Sequence, residues 1–562
     1  MIENKNANME EIEICTDVLV IGGGFAGTKA ASEIAELGYK VLLIEKGPGI
    51  GNPKELPGTL LGLSKGEDKA LKGLVDKVTS SDHIEVYTQT DLISTTGVPG
   101  DFSVRVSKGP DIIEHKVGAI VVATEFSLEA LHEKYELNLA ANVLTQSQME
   151  EILASEKDRK KILETGPKDV AFLVGFCQEG NPLVMERVMR SVLAISETEG
   201  CNAYVCAGDI KVASDSLERM YRDGREKGVV YFKPNEIPKI TQDGEVLGIV
   251  FDDPIMRRDI KLAPDLLVVE EAISADQMNQ KVAELLRIDL GPWGFLQNDN
   301  VHLFPVHSNR EGIFVVGSSR EVQGLPWAWV DVENVALEVK DLLGDGKKTV
   351  PKDKAVVDRG KCVICLTCYR CCPHGAIYWD TKAIISPVAC QGCGICASEC
   401  PNNAIQIGGF NDVQIVEEIK RHIESGNGDL RLIVFCCENS GFEAWQMAKA
   451  FNMQLPAGLS VIKVPCAGKI DIHYIMTSFV KGADGVLVLA CHNGNCKSEK
   501  GNTRAELRAG EAQRLLEETG FEKDRLDFVT IASNMGSEFS SVVVNMEERI
   551  KELGSNPLRN RS

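Results

Sequence analysis

The chain has 562 residues, of which 44% are hydrophobic and 25% are charged, and its formal net charge is −21 at pH 7. This length is too great for a single hydrophobic core and predicts about three domains. The negative charge excludes a surface for nucleic acid or for anionic lipid, because phosphate groups would repel it. The longest apolar runs are shorter than the ~20 residues that cross a bilayer, so no direct membrane span is expected.

The 18 cysteines are clustered along the chain, which favours metal ligands over disulfides. The first residues, MIENKNANMEEIEIC, contain no basic segment followed by an apolar one, so no secretory signal is expected. Both observations indicate a reducing cytoplasm, with any membrane association made through a partner protein.

Residues 14–47 predict a strand, a glycine turn, a helix and a second strand. The glycines of the turn GGGFAG let the backbone approach a pyrophosphate at the helix N-terminus, and the acidic residue after the second strand can accept hydrogen bonds from ribose hydroxyls. The candidate cofactor-binding residues here are Gly22, Gly24, Phe25, Ala26, Gly27, Glu45 and Lys46. The alternative is a tight glycine turn in some other α/β protein.

Two later strand patterns, VVATE and FVVGSS, are similar to the strands that complete the FAD domain of two-dinucleotide flavoproteins. This likeness adds Ala123, Thr124 and Gly317 to the candidate FAD site. Glu125 stands where that pattern usually has Gly, and Ser318 stands where it usually has Asp.

Residues 1–350 are therefore expected to form a Rossmann-like FAD-binding domain, with an inserted α/β subdomain at about 127–265. The insert contains no second GxGxxG pattern, so a separate NAD(P)H-binding domain is not expected.

The segment 351–410 contains the pattern C-x2-C-x2-C-x3-C-P twice, which is highly specific for a two-cluster ferredoxin domain. In this pattern the fourth cysteine of each run binds the cluster of the other run. The first [4Fe-4S] cluster is thus assigned to Cys362, Cys365, Cys368 and Cys400, and the second to Cys390, Cys393, Cys396 and Cys372. A zinc site is the alternative, although zinc sites rarely use eight cysteines with this spacing.

A linker at 411–428 precedes a C-terminal domain at 429–562, where strands and helices alternate. This alternation predicts a parallel, flavodoxin-like sheet whose ligands bind beyond the carboxyl ends of the strands. The whole chain is thus expected to be a multidomain α/β protein.

Three strands of this C-terminal domain end at a cysteine, and a further cysteine lies in the loop CHNGNC. Four thiols from three loops can bind a [2Fe-2S] cluster, and the candidate ligands are Cys437, Cys466, Cys491 and Cys496. Cys436 precedes Cys437 on the strand and is expected to face the core instead. The alternative is a set of unligated cysteines at strand ends.

Beyond the flavin and ferredoxin patterns, the C-terminal half contains CCENSG, VPCAGKID, GADGVLVLACHNGNC and GNTRAELR. With these motifs the chain resembles the A-type subunit of heterodisulfide reductase fused to the delta subunit of the methyl-viologen-reducing hydrogenase. The segments ENSG, IASNMGSEF and GSNPLRNRS are more similar to the B-type subunit of the quinone-interacting membrane-bound oxidoreductases. The resemblance implies FAD, two [4Fe-4S] clusters and a [2Fe-2S] cluster.

The same resemblance implies an electron-transfer subunit rather than an enzyme with its own catalytic side chains. Its implied partners are a second heterodisulfide reductase A-like flavoprotein, a quinone-reactive membrane protein and adenylylsulfate reductase, as in dissimilatory sulfur metabolism. One alternative is an electron-bifurcating subunit that works with hydrogenase or formate dehydrogenase. Another is a structural scaffold with a vestigial flavin domain, which the altered VVATE and FVVGSS segments would fit.

Overall fold

The structure is a computed structural model that describes residues 9–51, 65–163, 168–178, 181–214, 216–244, 246–296, 304–351, 354–425 and 430–559. Its three largest sheets are parallel, which confirms the predicted α/β class.

The N-terminal part of the first domain contains the predicted βαβ unit. Its elements are β1 (Met9–Glu13), β2 (Val18–Ile21), α1 (Phe25–Glu36), β3 (Val41–Ile44), α2 (Lys65–Thr79), β4 (Ile84–Tyr87), β5 (Thr90–Val98), β6 (Asp101–Lys108), β7 (Asp111–Val117) and β8 (Ala119–Val122). Strands β2, β3 and β8 are continuous apolar runs and are buried throughout, as central parallel strands require. Strands β5, β6 and β7 form a separate antiparallel sheet.

The inserted subdomain follows β8. Its elements are β9 (Phe126–Ala130), β10 (Val143–Thr145), α3 (Gln146–Ala154), α4 (Glu156–Ile162), β11 (Lys168–Val174), α5 (Pro182–Ser196), β12 (Cys201–Ala207), α6 (Leu217–Glu226), β13 (Val230–Phe232), β14 (Lys239–Asp243), β15 (Val246–Asp253), β16 (Arg258–Leu262), β17 (Leu266–Val269) and β18 (Glu271–Ala275). The order β10-β17-β11-β12-β13 makes a parallel sheet, and β18 pairs with β9. The subdomain thus extends past residue 265, because the apolar run LLVV of β17 is a central strand of its sheet.

The chain then returns to the first domain through α7 (Met278–Leu286), β19 (Ile313–Val315), α8 (Leu325–Leu343) and β20 (Lys347–Pro351). Strand β19 completes the parallel sheet β19-β8-β2-β3-β4, and β20 pairs with β1. Two segments that are far apart in sequence therefore close one Rossmann-like domain.

The cysteine-rich segment forms a small domain of short elements. These are β21 (Ala355–Val357), α9 (Thr367–Cys371), β22 (Ile377–Trp379), β23 (Ala383–Ile385), α10 (Ile395–Ser398) and β24 (Ile405–Ile407). Strand β21 pairs with β24 and β22 pairs with β23, both antiparallel. Each of the two cysteine runs therefore leads into one short helix.

The C-terminal domain has a four-stranded parallel sheet in the order β26-β25-β27-β28. Its elements are α11 (Asp412–Ser425), β25 (Leu432–Cys437), α12 (Gly441–Ala450), β26 (Leu459–Val464), α13 (Ile472–Val480), β27 (Gly485–Ala490), α14 (Gly501–Glu518), β28 (Leu526–Thr530) and α15 (Gly536–Leu553). This sheet confirms the predicted fold of the domain.

Most of the segment expected to be a linker is helix α11; residues 426–428 lie outside the described residues. Ile415, Ile419 and Ile423 recur at intervals of four residues and are buried in the core of the C-terminal domain. This helical apolar stripe attaches the segment to the C-terminal domain by packing.

The ferredoxin-like segment contacts both neighbouring domains. On one side, Arg310 of the first domain lies against Gly375, where an added Cβ would be 2.7 Å from the Arg310 Nε. On the other side, the Lys469 side chain lies against Gly394, and Arg508 Nη2 donates to Glu399 Oε1 at 2.5 Å. The cysteine runs are therefore held between the two larger domains.

Candidate cofactor sites

The glycine turn after β2 is as tight as the sequence suggests. Gly22 has a φ of +107°, and a Cβ placed on it would lie 2.3 Å from the Ala123 carbonyl oxygen. A Cβ on Gly27 would lie 1.8 Å from the Gly22 carbonyl oxygen. Only glycine fits at these two positions, so the turn brings β8 and the first turn of α1 close together.

A cavity of about 370 Å³ opens beside this turn. Of the residues predicted to bind FAD, it is lined by Gly22, Gly24, Glu45, Lys46, Ala123 and Thr124. Phe25, Ala26 and Gly27 begin α1, and Gly317 packs against Ala26, where an added Cβ would be 2.8 Å from the Ala26 Cβ. The structure thus brings the predicted residues to one end of the first sheet.

The Glu45 carboxylate is held at the edge of this cavity by backbone donors. It accepts hydrogen bonds from the N–H groups of Gly23 and Gly47, each at 2.5 Å. The helix N-terminus has no side-chain cap, since Gly24 occupies the N-cap position. A helix N-terminus of this kind favours a phosphate, so this end of the cavity fits the adenosine diphosphate half of FAD.

Sequence reasoning did not identify the wall of the cavity that α7 and the segment just before it supply. Asp276, Met278 and Lys281 line the cavity, and Lys46 Nζ lies 3.5 Å from the Met278 sulfur. These residues are more than 200 positions from Lys46, and no local motif marks them. Lys46 and Lys281 add two positive charges to the wall of the cavity, which also carries the carboxylates of Glu45, Asp91, Glu125 and Asp276.

Glu125, the departure from the usual flavoprotein pattern, lies at the same helix N-terminus. A Cβ placed on Gly24 would be 1.9 Å from the Glu125 Oε1. The Glu125 carboxylate therefore lies at the helix N-terminus, where a pyrophosphate would be favoured. The glycine turn and Glu45 fit FAD, whereas Glu125 has to move aside or be neutralised for the dinucleotide to bind.

The eight ferredoxin cysteines lie in two groups of neighbouring thiols. Burial, followed by the neighbouring thiols of Cys400, Cys365 and Cys362, raises the pKa of Cys368 to about 11. The fourth cysteine of the second run therefore lies with the first three of the first run.

In the second group, burial and the neighbouring thiols of Cys393, Cys372 and Cys390 raise the pKa of Cys396 well above its usual value. Cys371 also lies near this group, although it was not predicted to be a ligand. Because metals bind thiolates, cluster insertion at these buried thiols has to displace protons.

The four C-terminal cysteines converge from three loops. The sulfurs of Cys437 and Cys491 are 3.7 Å apart. Two thiolates on one tetrahedral metal, each ~2.3 Å from it, would be about 3.8 Å apart. Hydrogen bonds with Cys466 and Cys491 lower the pKa of Cys437, and the same two thiols lower the pKa of Cys496. The sulfurs therefore form a ring of neighbouring pairs whose chemistry fits an iron-sulfur cluster.

The start of α14 completes this ring. A Cβ on Gly501 would lie 2.2 Å from the Cys466 sulfur, so a larger residue cannot occupy this position without displacing a thiol. The helix N-terminus faces the sulfurs and stabilises negative charge there. Sequence reasoning identified GNTRAELR as a family motif but did not recognise its glycine as part of the site. Cys436 lies in the core on the other face of the sheet.

The second ferredoxin group and the C-terminal group are close neighbours. A cleft of about 190 Å³ lies between them, and its lining includes Cys393, His374, Glu438 and Pro465. Glu438 is adjacent in sequence to Cys437, and Pro465 is adjacent to Cys466. Burial lowers the pKa of His374 to about 4. The Cys496 thiol lies near the imidazole and raises this pKa by a smaller amount. The imidazole therefore lies between Cys372 and the C-terminal set.

Among the residues that the structure describes, no three or more His, Cys, Asp or Glu side chains are placed to hold one metal ion. Each thiolate of a [4Fe-4S] cluster binds a different iron, so these groups need not close on one ion. Within the same residues, no helix is long and apolar enough to cross a membrane.

Comparison with known families assigns each part of the chain. Residues 16–163 match the pyridine nucleotide-disulphide oxidoreductases, residues 383–406 match the 4Fe-4S binding domain, and residues 432–554 match the delta subunit of methyl-viologen-reducing hydrogenase. Among solved structures, the thioredoxin reductase of T. acidophilum aligns at 14% identity with a TM-score of 0.39, over 58% of this chain and 98% of that one.

Two relatives relate these parts to complete proteins. The A-type subunit of ferredoxin:CoB-CoM heterodisulfide reductase from Methanosarcina mazei is 23% identical over 634 residues, which cover 96% of this chain and 80% of the relative. The D-type iron-sulfur subunit of the vhu F420-non-reducing hydrogenase from Methanocaldococcus jannaschii is 40% identical over 128 residues, which cover 23% of this chain and 96% of the relative. Along most of its length the chain is therefore similar to the A-type subunit of heterodisulfide reductase, an oxidoreductase subunit with a flavin-type domain and a 4Fe-4S segment, and its C-terminal domain belongs to the methyl-viologen-reducing hydrogenase delta-subunit family.

Proposed function

We propose that this protein carries electrons between a quinone-reactive membrane subunit and soluble adenylylsulfate reductase, beside a second heterodisulfide reductase A-like flavoprotein. Bound FAD would exchange electrons in pairs, and two [4Fe-4S] clusters and one [2Fe-2S] cluster would carry them singly. The choice of partners rests on the segments ENSG, IASNMGSEF and GSNPLRNRS. The observation that carries the electron-transfer role is the continuous series of sites from the flavin cavity to the C-terminal cysteines.

The first connection in this series is made by helix α7 and Arg310. Leu285 of α7 lines the flavin cavity, and the carbonyl of the next residue, Leu286, accepts a hydrogen bond from Arg310 Nη1 at 2.7 Å. Arg310 in turn packs on Gly375, three residues after Cys372. Protein atoms therefore fill the space between the cavity and the second ferredoxin group, which supports electron transfer between them.

The second connection leads to the C-terminal domain. Cys393 packs against the core of that domain, and His374 lies beside Cys496. We assign Cys390, Cys393, Cys396 and Cys372 to the intermediate cluster, and Cys437, Cys466, Cys491 and Cys496 to the terminal [2Fe-2S] cluster. Cys362, Cys365, Cys368 and Cys400 would hold the remaining [4Fe-4S] cluster.

The test is to mix the native complex with a reduced menaquinone analogue, and separately with NADH, while flavin and cluster absorbance are recorded. We expect the quinol to change the absorbance and NADH to have no rapid effect, since the chain carries a single GxGxxG turn. Rapid bleaching by NADH without a response to the quinol would contradict the proposal.

A second candidate function is electron bifurcation together with hydrogenase or formate dehydrogenase. The 40% identity of the C-terminal domain to a hydrogenase iron-sulfur subunit supports it. Reduction of the complex by hydrogen or formate, in the presence of the copurified dehydrogenase, would distinguish this function from the quinone-linked one.

A scaffold with a vestigial flavin domain is the third candidate, and the Glu125 carboxylate at the helix N-terminus supports it. The FAD content of the purified chain decides this case. A flavin-free chain that also fails to bind added FAD would be a scaffold.

A further inference from the structure

The ligand loop around Cys365 differs from the other cysteine loops in its exposure. Cys365 is exposed, whereas every other cysteine assigned to a cluster is buried or half-buried. The short helix α9 that follows this loop begins at Thr367, which is half-buried. Of the assigned ligands, Cys365 therefore lies nearest to a partner in solution.

The backbone of this loop adopts a conformation that favours glycine, but the loop contains none. Ile364 and Leu366, on either side of Cys365, have φ values of +56° and +57°. The equivalent positions of the second run are Gly392 and Gly394, with φ values of +68° and +84°. A β-branched residue in this region is a rare outlier, and such strain is found mainly where function requires the residue.

The second run shows why glycine is present there. The Lys469 side chain of the C-terminal domain covers Gly394, and an added Cβ would lie 2.7 Å from its Cδ. The first run has large apolar residues at both equivalent positions, and Ile364 is 40% exposed. The two runs thus share one backbone form, but one run is covered by this chain and the other presents side chains to solvent.

Further apolar residues extend this exposed area. Val363 is 61% exposed and Trp379 is 44% exposed. The Trp379 ring stacks edge-to-face on Tyr369 of α9, with centroids 4.6 Å apart, so the β22–β23 hairpin lies beside the cysteine loop. We call the area formed by Val363, Ile364, Cys365 and Trp379 the Cys365 surface. Exposed apolar residues grouped around a cofactor ligand are typical of an interaction site.

The segment that carries the Cys365 surface has a small net positive charge, although Arg359 and Lys361 are paired with Asp380 and Asp358. Residues 356–382 contain four basic side chains and two acidic ones, whereas the chain has a net charge of −21. Arg370 Nη2 donates to the Cys365 carbonyl at 3.1 Å, and Lys382 Nζ donates to the Cys362 carbonyl at 2.5 Å. Two of the basic groups are therefore fixed against the backbone of the ligand loop.

We propose that the Cys365 surface docks a one-electron redox protein with an acidic face. The basic residues attract the acidic rim of the partner, and the apolar residues make the close contact at the centre. One electron then passes between the centre of the partner and the cluster of Cys362, Cys365, Cys368 and Cys400. One centre is oxidised as the other is reduced, and no covalent bond or proton is involved. This inference rests on the proposed function, because it requires that cluster.

The experiment measures binding of the full-length, iron-loaded chain to a small acidic two-cluster ferredoxin used as the probe. The variants are Ile364→Gly, Val363→Ser and Lys361→Glu. Ile364→Gly gives the loop the residue that its backbone favours, and Val363 and Lys361 are each 61% exposed, so all three variants should retain their iron. We expect each variant to weaken binding at least tenfold at low salt and to leave iron content unchanged.

The control variants are Phe451→Ser and Lys551→Glu. Phe451 is exposed at the end of α12. Lys551 on α15 is 59% exposed and has an acidic neighbour, so it matches Lys361 in both exposure and pairing. Helices α12 and α15 pack on the face of the C-terminal sheet that is opposite to α11, α13 and α14. We expect both controls to bind the probe within twofold of the unchanged chain.

Three results would overturn the docking surface: no binding of the probe, equal binding by all variants, or equal weakening by the controls. If iron is incorporated in these cases, the proposed electron-transfer function stands and only the docking site is wrong. If the unchanged chain incorporates no iron under any reconstitution, the proposed function fails and the docking site fails with it. Iron content and visible absorbance, measured on each sample, separate the two cases.

Discussion

Replacing Glu125 by glycine tests whether this carboxylate opposes FAD binding. The Glu125 Oε1 lies against Gly24, at the N-terminus of α1 where a dinucleotide pyrophosphate is expected. Glu125→Gly introduces the residue that flavoproteins usually have at this position. Glu125→Gln removes the charge and keeps the size, so the pair separates electrostatic repulsion from steric exclusion.

The expected size of the effect is that of two unit charges placed side by side. At about 5 Å, two unit charges repel by roughly 1 kcal/mol in water and by about 3 kcal/mol at the effective dielectric constant of a protein surface. Each 1.4 kcal/mol changes a dissociation constant about tenfold. We therefore expect Glu125→Gly to bind FAD about 5-fold to 150-fold more tightly than the unchanged chain.

The assay is calorimetric titration of the flavin-free chain with FAD. Glu129→Gln serves as the control, because Glu129 is an exposed glutamate on the neighbouring strand β9 and does not line the cavity. If Glu125→Gln binds as tightly as Glu125→Gly, charge is the cause; if only glycine improves binding, volume is the cause. A dissociation constant for Glu125→Gly within twofold of the unchanged chain would refute the reasoning.

Three further predictions concern the clusters and the domain contact. Cys372→Ser should reduce the iron content of the ferredoxin domain by about half, because the fourth cysteine of the first run binds the second cluster. The electron paramagnetic resonance signal of the cluster at Cys362 should remain. Selective loss of that signal would reverse the assignment. Cys466→Ser should abolish the [2Fe-2S] absorbance, whereas Cys436→Ser should preserve it, because Cys436 lies in the opposite core; equal losses would contradict the ligand set. Arg310→Met removes the guanidinium that donates to the carbonyls of Leu286 and Gly97, so it should destabilise the chain by about 2–4 kcal/mol. The measurement is the unfolding temperature, which should fall. An unchanged unfolding temperature would contradict a stabilising role for Arg310 at the domain contact.

Local spacing accounts for what the sequence predicted well. The cysteine runs and the glycine turn are short, and each motif constrains its own backbone. The strand ends at Cys437, Cys466 and Cys491 were also predictable, because parallel strands bring their carboxyl ends to one edge of a sheet. The flavin and ferredoxin folds follow from such local patterns.

Long-range contacts account for what the sequence could not give. Lys281 reaches the flavin cavity from α7, and nothing in its neighbourhood marks it as a site residue. Arg310 lies in a loop, yet it is buried and joins two domains, which only the tertiary structure reveals. Helix α11 was a different case: Ile415, Ile419 and Ile423 form a recognisable helical stripe within the segment that was expected to be a linker.

The comparison of the two ferredoxin runs connects these observations to function. Placing Ile364 rather than glycine in a left-handed conformation costs about 1–2 kcal/mol. The second run avoids that cost with Gly392 and Gly394, and there the chain itself covers the loop. The first run keeps the strain and faces solvent. An internal relay would need only the covered run, so the exposed run around Cys365 fits the proposed docking surface.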